Sequence, residues 1–195
     1  MNAIPFLNGS RLFLRPLQEN DAESNYLNWF NDAEVCKQNN HYRYPYLYQD
    51  ALQYIQYAQK TKESLILAIV TLEDHVHIGN ISLQDIHFIN RTADFAIVLG
   101  EKKYWNKGYA SEAAKLIIAH GFQELNLNRI SCGTYHTNVG MQRLAESLGF
   151  IKEGVRRQAA YKQNQYIDVI EYGILRNEWL IRNAAYVPEG ERNNE

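Results

Sequence analysis

Cysteine is scarce. The chain has two in 195 residues, Cys36 and Cys132, and they form no C-x-x-C pair. A disulfide framework or cysteine-based zinc cluster is therefore excluded, and both read as buried free thiols. A long apolar run is also missing, so the sequence offers no membrane-spanning helix. There is no excess of positive charge: 20 Lys and Arg against 22 Asp and Glu leave a formal net charge of −2, which gives no basic field for nucleic acid. Met1-Asn2-Ala3-Ile4-Pro5-Phe6 has neither the basic start nor the apolar core of a signal peptide, and a cytoplasmic location is expected. What is present, 46% hydrophobic and 22% charged residues, suffices for one well-buried domain. That domain is expected over residues 1–183, with a polar tail at 184–195.

Periodicity divides the chain into short elements. Arg11 to Leu17 alternates as a first strand, and Asn20-Asp21-Ala22-Glu23 reads as a capping box opening a helix with Ala22, Tyr26, Trp29 and Phe30 inward. Asp50 with Gln53 repeats the device, and the second helix runs to Lys60 with Ala51, Tyr54, Ile55 and Ala58 inward. Ser64–Thr71, His77–Gln84 and the strand ending at Leu99 form an antiparallel meander. A helix then carries the chain over to Arg129–Thr134, which must lie parallel to the Asp94 strand. Arg156–Tyr161 and Tyr166–Leu175 make a hairpin around Gln163-Asn164, and Arg176–Asn183 is a short last helix.

The most informative run is Leu99-Gly100-Glu101-Lys102-Lys103-Tyr104-Trp105-Asn106-Lys107-Gly108-Tyr109-Ala110. It joins the buried strand Ala93–Leu99 to a helix whose apolar stripe is Ala110, Ala113, Ala114, Ile117, Ile118, Gly121 and Leu125. A helix opening at Tyr109 presents unpaired N–H groups and the positive end of its dipole, a setting for an anion. Gly108, without a Cβ, allows a phosphate close to the backbone. Lys102, Lys103 and Lys107 read either as added charge around that anion or as a solvated cluster.

Two further segments combine with this loop. Asn138-Val139-Gly140-Met141-Gln142-Arg143-Leu144-Ala145-Glu146-Ser147-Leu148-Gly149-Phe150 is a helix closed by glycine, and Tyr166-Ile167-Asp168-Val169 heads a late strand. The set W-x-x-G-Y-A, N-x-x-M-x-x-L-x-x-x-L-G-F and Y-x-D-V resembles the GNAT superfamily of acetyl-CoA-dependent N-acetyltransferases. With Arg11-Leu12-Phe13-Leu14-Arg15-Pro16 and Trp29-Phe30-Asn31-Asp32-Ala33-Glu34-Val35, it looks like the branch of ribosomal-protein N-terminal, spermidine and amino-sugar acetyltransferases. The resemblance implies an α/β (α+β) fold, with a mixed, mostly antiparallel sheet of about seven strands flanked by helices. The strands of Asp94–Leu99 and Arg129–Thr134, fourth and fifth in the sheet, would splay apart. It also implies a transferase that uses acetyl-CoA and no metal, compatible with a homodimer.

Carried onto this chain, the resemblance places pantetheine against the main chain of Ile97, Val98 and Leu99. It places the pyrophosphate on the N–H groups of Trp105, Asn106, Lys107, Gly108, Tyr109 and Ala110. Arg143 would lie near the adenine side, and Asn138 would bond the pantetheine arm or cap its helix. Acetyl transfer requires a neutral amine, and an alkylammonium has a pKa of about 10, so a base must take a proton. Asp94 is the leading candidate. The proton-donating Tyr and the Ser of the family motif are Ala145 and Met141 here, which leaves Tyr135 and His136 as acids that could serve the leaving thiolate. Trp29, Asn31, His41, Tyr44 and Tyr46 are expected to border the acceptor. Tyrosines at 42, 44, 46 and 48 and few carboxylates favour a neutral or anionic amine such as a nucleotide-linked amino sugar. A polyamine or protein α-amine acceptor, or a CoA-binding module without activity, are the alternatives.

Overall fold

The computed structural model describes residues 4–183; the expected polar tail lies outside them. One eight-stranded sheet runs through the molecule in the order β1-β2-β3-β4-β5-β6-β8-β7. Its strands are β1 (Leu7–Asn8), β2 (Leu12–Pro16), β3 (Leu65–Thr71), β4 (His77–His87), β5 (Thr92–Leu99), β6 (Arg129–Tyr135), β7 (Ile151–Lys162) and β8 (Gln165–Leu175). The helices are α1 (Tyr26–Phe30), α2 (Tyr48–Lys60), α3 (Tyr109–Gln123), α4 (Val139–Leu148) and α5 (Arg176–Arg182), with short 3₁₀ turns at Glu19–Glu23 and Lys102–Tyr104. The expected sheet is thus found, enlarged by the two-residue β1, too short to carry an alternation. Every neighbouring pair of strands is antiparallel except β5 and β6, which the α3 crossover makes parallel.

Strand β7 starts at Ile151 and β4 runs on to His87, both longer than the sequence expectation, and two helix starts also differ. Gln18, not Asn20, precedes the first turn and donates its N–H to Asp21 (2.8 Å); the segment is a 3₁₀ turn followed by the five-residue α1. Helix α2 opens at Tyr48, because Asp50 reaches back from the first turn to accept the Leu47 N–H (2.8 Å).

Side-chain alternation decides where the sheet is covered. Leu12, Leu14, Leu67, Ile69, Ile81, Leu83, Phe95 and Ile130 point to one face, where Ala113, Ala114, Ile117, Phe122, Leu148 and Trp179 from α3, α4 and α5 seal them. On the opposite face, Phe13, Ile66, Ala68 and Val70 of β2 and β3 meet Tyr26, Trp29, Phe30, Ala51 and Ile55 of α1 and α2. That cover stops at β3: the same face of β4 and β5 carries Asn80, Ser82, Gln84 and Ala96, which line an open cleft. A polar stripe cannot hold an apolar helix, so the change of side chain between β3 and β4 leaves the cleft uncovered.

Trp29 shows how tightly the α1 layer is seated. It is 2% exposed, its indole N–H donates to Glu101 (2.9 Å), and a Cβ added to Gly100 would stand 1.9 Å from its ring. Gly100→Ala should therefore destabilise the protein by about 1–3 kcal/mol or more through overpacking. Urea unfolding measures this, and an unchanged midpoint would contradict the packing described.

Candidate active site

The parallel ladder of β5 and β6 is short. It holds Thr92↔Arg129, Ala93↔Ile130 and Asp94↔Ser131 and then ends, although β5 stays paired with β4 to Leu99 and β6 with β8 to Tyr135. Arg129 N–H donates to Arg91 O (3.2 Å) and Gly100 N–H to Ile78 O (2.9 Å). Odd-numbered residues of β5 therefore turn their backbone toward β6, and even-numbered ones toward β4. Beyond Asp94, the N–H and C=O of Ile97 and the N–H of Leu99 face the gap, while the Leu99 carbonyl accepts from Trp105 Nε1 (2.9 Å). Val98, expected to contribute main chain, instead spends its backbone groups on Asn80 of β4 and lines the gap by its side chain.

The gap opens into a cleft of about 1520 Å³, above the range of roughly 300–1,000 Å³ typical of a single small-molecule site. Of the residues expected in the site, His41, Tyr46, Ile97, Val98, Leu99, Trp105, Asn106, Ala110, Tyr135 and Asn138 line it. A recess of about 270 Å³ beside it is lined by Gly108, Tyr109, Gly140, Arg143 and Ser147, between the first turns of α3 and α4. Asn138 caps α4 by accepting the Met141 N–H (3.1 Å).

The loop before α3 is built to leave donors free. Asn106 (φ 58°) and Gly108 (φ 84°) are left-handed, and the N–H groups of Asn106 through Ser111 find no acceptor among the described residues. Trp105 does not share this property: its N–H closes the 3₁₀ turn on Lys102 O (3.1 Å). Arg11 holds the loop from behind. Its guanidinium donates to Lys107 O (2.9 Å) and to Glu112 (2.8 Å), lies 4.8 Å from the Tyr109 ring centre, and would be 3.1 Å from any Cβ at Gly108. Burial alone would raise the Glu112 carboxyl, but bonds from Arg11 and Ser10 outweigh it and hold it low. The lysines are differently placed: Lys102 pairs with Asp32 (2.8 Å) and Glu34 (2.6 Å), and Lys103 lies 3.7 Å from Asp74. Lys102 and Lys103 are thus paired with acids, and the donors this loop leaves free are main-chain N–H groups.

Residues 11–151 match the profile of the acetyltransferase (GNAT) domain. The chain belongs to the GNAT acetyltransferase family. The uncharacterized N-acetyltransferase p20 of Bacillus licheniformis is 32% identical over 87% of this chain and 95% of its own. Spermidine N(1)-acetyltransferase of Escherichia coli is 30% identical over 55% of this chain and 57% of its own. In fold, the chain is similar to the crystal structure of spermidine N-acetyltransferase from Vibrio cholerae in complex with CoA and spermine, with a TM-score of 0.78, 22% identity and coverage of 87% and 98%. As a GNAT protein the chain is an N-acetyltransferase, and its splayed strands and free N–H groups suit the acetyl-CoA that this family uses.

Several expected residues sit elsewhere than on the cleft wall. Asp94 is exposed at the last rung of the ladder and accepts a bond from Ser131 Oγ. Exposed His136 has its backbone tied to Asp168 and Gln142. Trp29 belongs to the core, and Tyr44 is 85% exposed outside the cleft. Asn31 acts on the wall indirectly, bonding the N–H (2.9 Å) and C=O (2.7 Å) of Tyr46 and so fixing that ring. In return the cleft gains Tyr26, Asn40, Arg43, Asn80 and Arg156. The alternation of Asn80, Ser82 and Gln84 with Ile81 and Leu83 was the available signal for the floor; nothing local signals Arg43 or Arg156.

If Asn106–Ser111 cradle the pyrophosphate, added CoA should raise the melting temperature of the wild type by mass action. Gly108→Asp should abolish that shift, since a side chain there meets Arg11 and a carboxylate opposes the phosphate. A folded variant with an undiminished shift would refute the cradle.

Proposed function

We propose that the protein moves an acetyl group from acetyl-CoA to a primary amine on a neutral or anionic carrier, a nucleotide-linked amino sugar being one example, and that it does so in the cytoplasm. The observation that carries the carrier class is the charge of the cleft. Lys37, Arg43 and Arg156 face it alongside two acids, Glu34 and Asp50. Glu34 is paired with Lys102 and Asp50 caps α2, so neither is left to replace the hydration of a polycation. Arg156 is itself paired with Glu171 (2.5 Å), whereas Arg43 donates to carbonyl and amide oxygens of Tyr161 and Asn40, neutral partners that leave its charge uncompensated. A polyamine acceptor is the second reading, supported by the relatives named for spermidine.

Acetyl-CoA supplies an activated thioester carbonyl. The neutral amine attacks that carbon; the C–N bond forms, the C–S bond breaks, and the electron pair leaves on sulfur. Free N–H groups of β5 are positioned to bond the carbonyl oxygen as charge develops on it. Asp94, beside the cleft at the vertex of the splay, receives the amine proton through water, with Ser131 orienting its carboxylate. Tyr135 supplies the proton for sulfur. Burial pushes its phenol up, Arg43 partly offsets this, and the hydroxyl stays a donor, here to Asn40 Oδ1 (2.6 Å). A thiol pKa of about 8.5 means the sulfur needs little help.

Asp94→Asn should lower turnover by roughly 10²-fold at neutral pH, with CoA affinity unchanged and partial recovery as pH rises toward the amine pKa of about 10. Activity within a fewfold of wild type would remove Asp94 from the mechanism. In thiol-release assays over a panel of amines, anionic and neutral acceptors should outperform spermidine, and Arg43→Ala should raise KM for the anionic ones alone. Spermidine as the best acceptor would establish the polyamine reading instead.

A further inference from the structure

The transfer chemistry leaves two polar groups at the inner end of the cleft without a task. Tyr26 is fully buried, yet its hydroxyl makes no hydrogen bond of ordinary geometry among the described residues, and Tyr26 lines the cleft together with Tyr46, Tyr54 and Asn80. Asn80 is 8% exposed and spends its side-chain oxygen on His77 Nε2 at 2.9 Å. The same Nε2 is 3.0 Å from the Gly79 carbonyl, which only accepts, so Nε2 carries a hydrogen and Asn80 must turn its oxygen toward it. The Asn80 amide nitrogen is thereby directed away from His77, on a residue that lines the same cleft as Tyr26.

His77 is itself fixed. Its ring stacks on Tyr26 (6.0 Å, 18°) and meets Trp29 edge-on (4.9 Å, 78°), and Nδ1 stands 3.4 Å from Asp21 Oδ1. Arg15, 6% exposed, grips both oxygens of Asp21 at 2.7 and 2.8 Å. Burial would raise that carboxyl, but Arg15 and then His77 outweigh it and hold it well below the usual carboxylate range. The amide orientation is set by His77 Nε2, whose ring is held by Tyr26 and Trp29, with the Arg15–Asp21 pair approaching Nδ1 without a hydrogen bond of ordinary geometry.

We propose that Tyr26 and Asn80 form a donor pair for an uncharged oxygen, hydroxyl or carbonyl, on the acceptor, with His77 as a positioning residue. The acceptor is then an oxygen-bearing amine and not a hydrocarbon one. A hydrocarbon amine would leave these donors desolvated and unpaired, whereas a hydroxylated ring satisfies them. The pair's other neighbours in the cleft, Tyr46 and Tyr54, are neutral, burial pushing both phenols up, which suits an uncharged group. This inference rests on the reading of the cleft as the acceptor site.

The test is calorimetric titration of the CoA-loaded protein with glucosamine and with cyclohexylamine, the same ring size and amine without oxygens. Glucosamine should bind at least tenfold more tightly. Tyr26→Phe should weaken glucosamine about tenfold, leave cyclohexylamine within twofold, and raise the melting temperature, because it removes a buried hydroxyl that makes no hydrogen bond of ordinary geometry among the described residues. His77→Gln, which unlocks Asn80, should weaken glucosamine as Asn80→Ala does without altering CoA affinity. Equal binding of the two amines, binding of neither, an unaltered glucosamine affinity in Tyr26→Phe, or a lower melting temperature of that variant would each overturn the donor pair. Failure of every amine to release thiol would count against the acetyltransfer reading itself, a separate outcome.

Discussion

The site depends on one interruption: β5 and β6 stop pairing after Asp94 and Ser131. Both strands remain anchored on their outer sides, β5 to β4 and β6 to β8, so the interruption divides a continuous sheet into two diverging halves without loosening either. A parallel ladder would otherwise consume the backbone groups of Ile97 and Leu99. Left unpaired, those groups need a partner, since a buried amide without one costs roughly 1–3 kcal/mol. An extended amide chain laid between the strands meets that need in the same geometry as a missing strand, which is why the gap suits a pantetheine arm.

The loop before α3 is governed by backbone shape. Two left-handed residues, Asn106 and Gly108, bend the chain so that successive N–H groups face one side. Holding that shape falls to Glu112 in the first turn of α3. It accepts from Ser10 N–H (2.7 Å), Arg11 N–H (2.8 Å) and the Arg11 guanidinium, tying the chain between β1 and β2 to the helix, while Arg11 in turn holds the Lys107 carbonyl. The carboxylate near the helix N-terminus stabilises the dipole, and its charge is matched by Arg11, so it does not cancel the field offered to an anion.

Local signals made much of this legible. The glycine at 108, the stripe of α3, the glycine closing α4 in left-handed geometry (Gly149, φ 95°) and the crossover that makes β6 parallel could all be read from short windows. Partnerships across the fold could not. Trp29 reads from the sequence both as an inward residue of its helix and as an aromatic bordering the acceptor, and the approach of Gly100 and Glu101 makes it core. Tyr44 and Tyr46 belong to one alternating run, but Asn31 turns the backbone of Tyr46 inward while Tyr44 remains outside. Arg43 reaches the cleft because it bonds the Tyr161 carbonyl 118 positions along the chain, a contact with no sequence signature. Trp105 lacks a free N–H for a finer reason: a single 3₁₀ bond uses it.

The division of labour within β5 is what most directly distinguishes this account from a generic cleft, and residue-resolved amide hydrogen exchange reads it. With CoA bound, the Ile97 and Leu99 amides, together with Asn106 through Ser111, should gain protection. Ala96 and Val98, already bonded to β4, should be protected with or without it. Unchanged exchange at Ile97 and Leu99 on saturation with CoA would contradict the claim that the arm lies between β5 and β6.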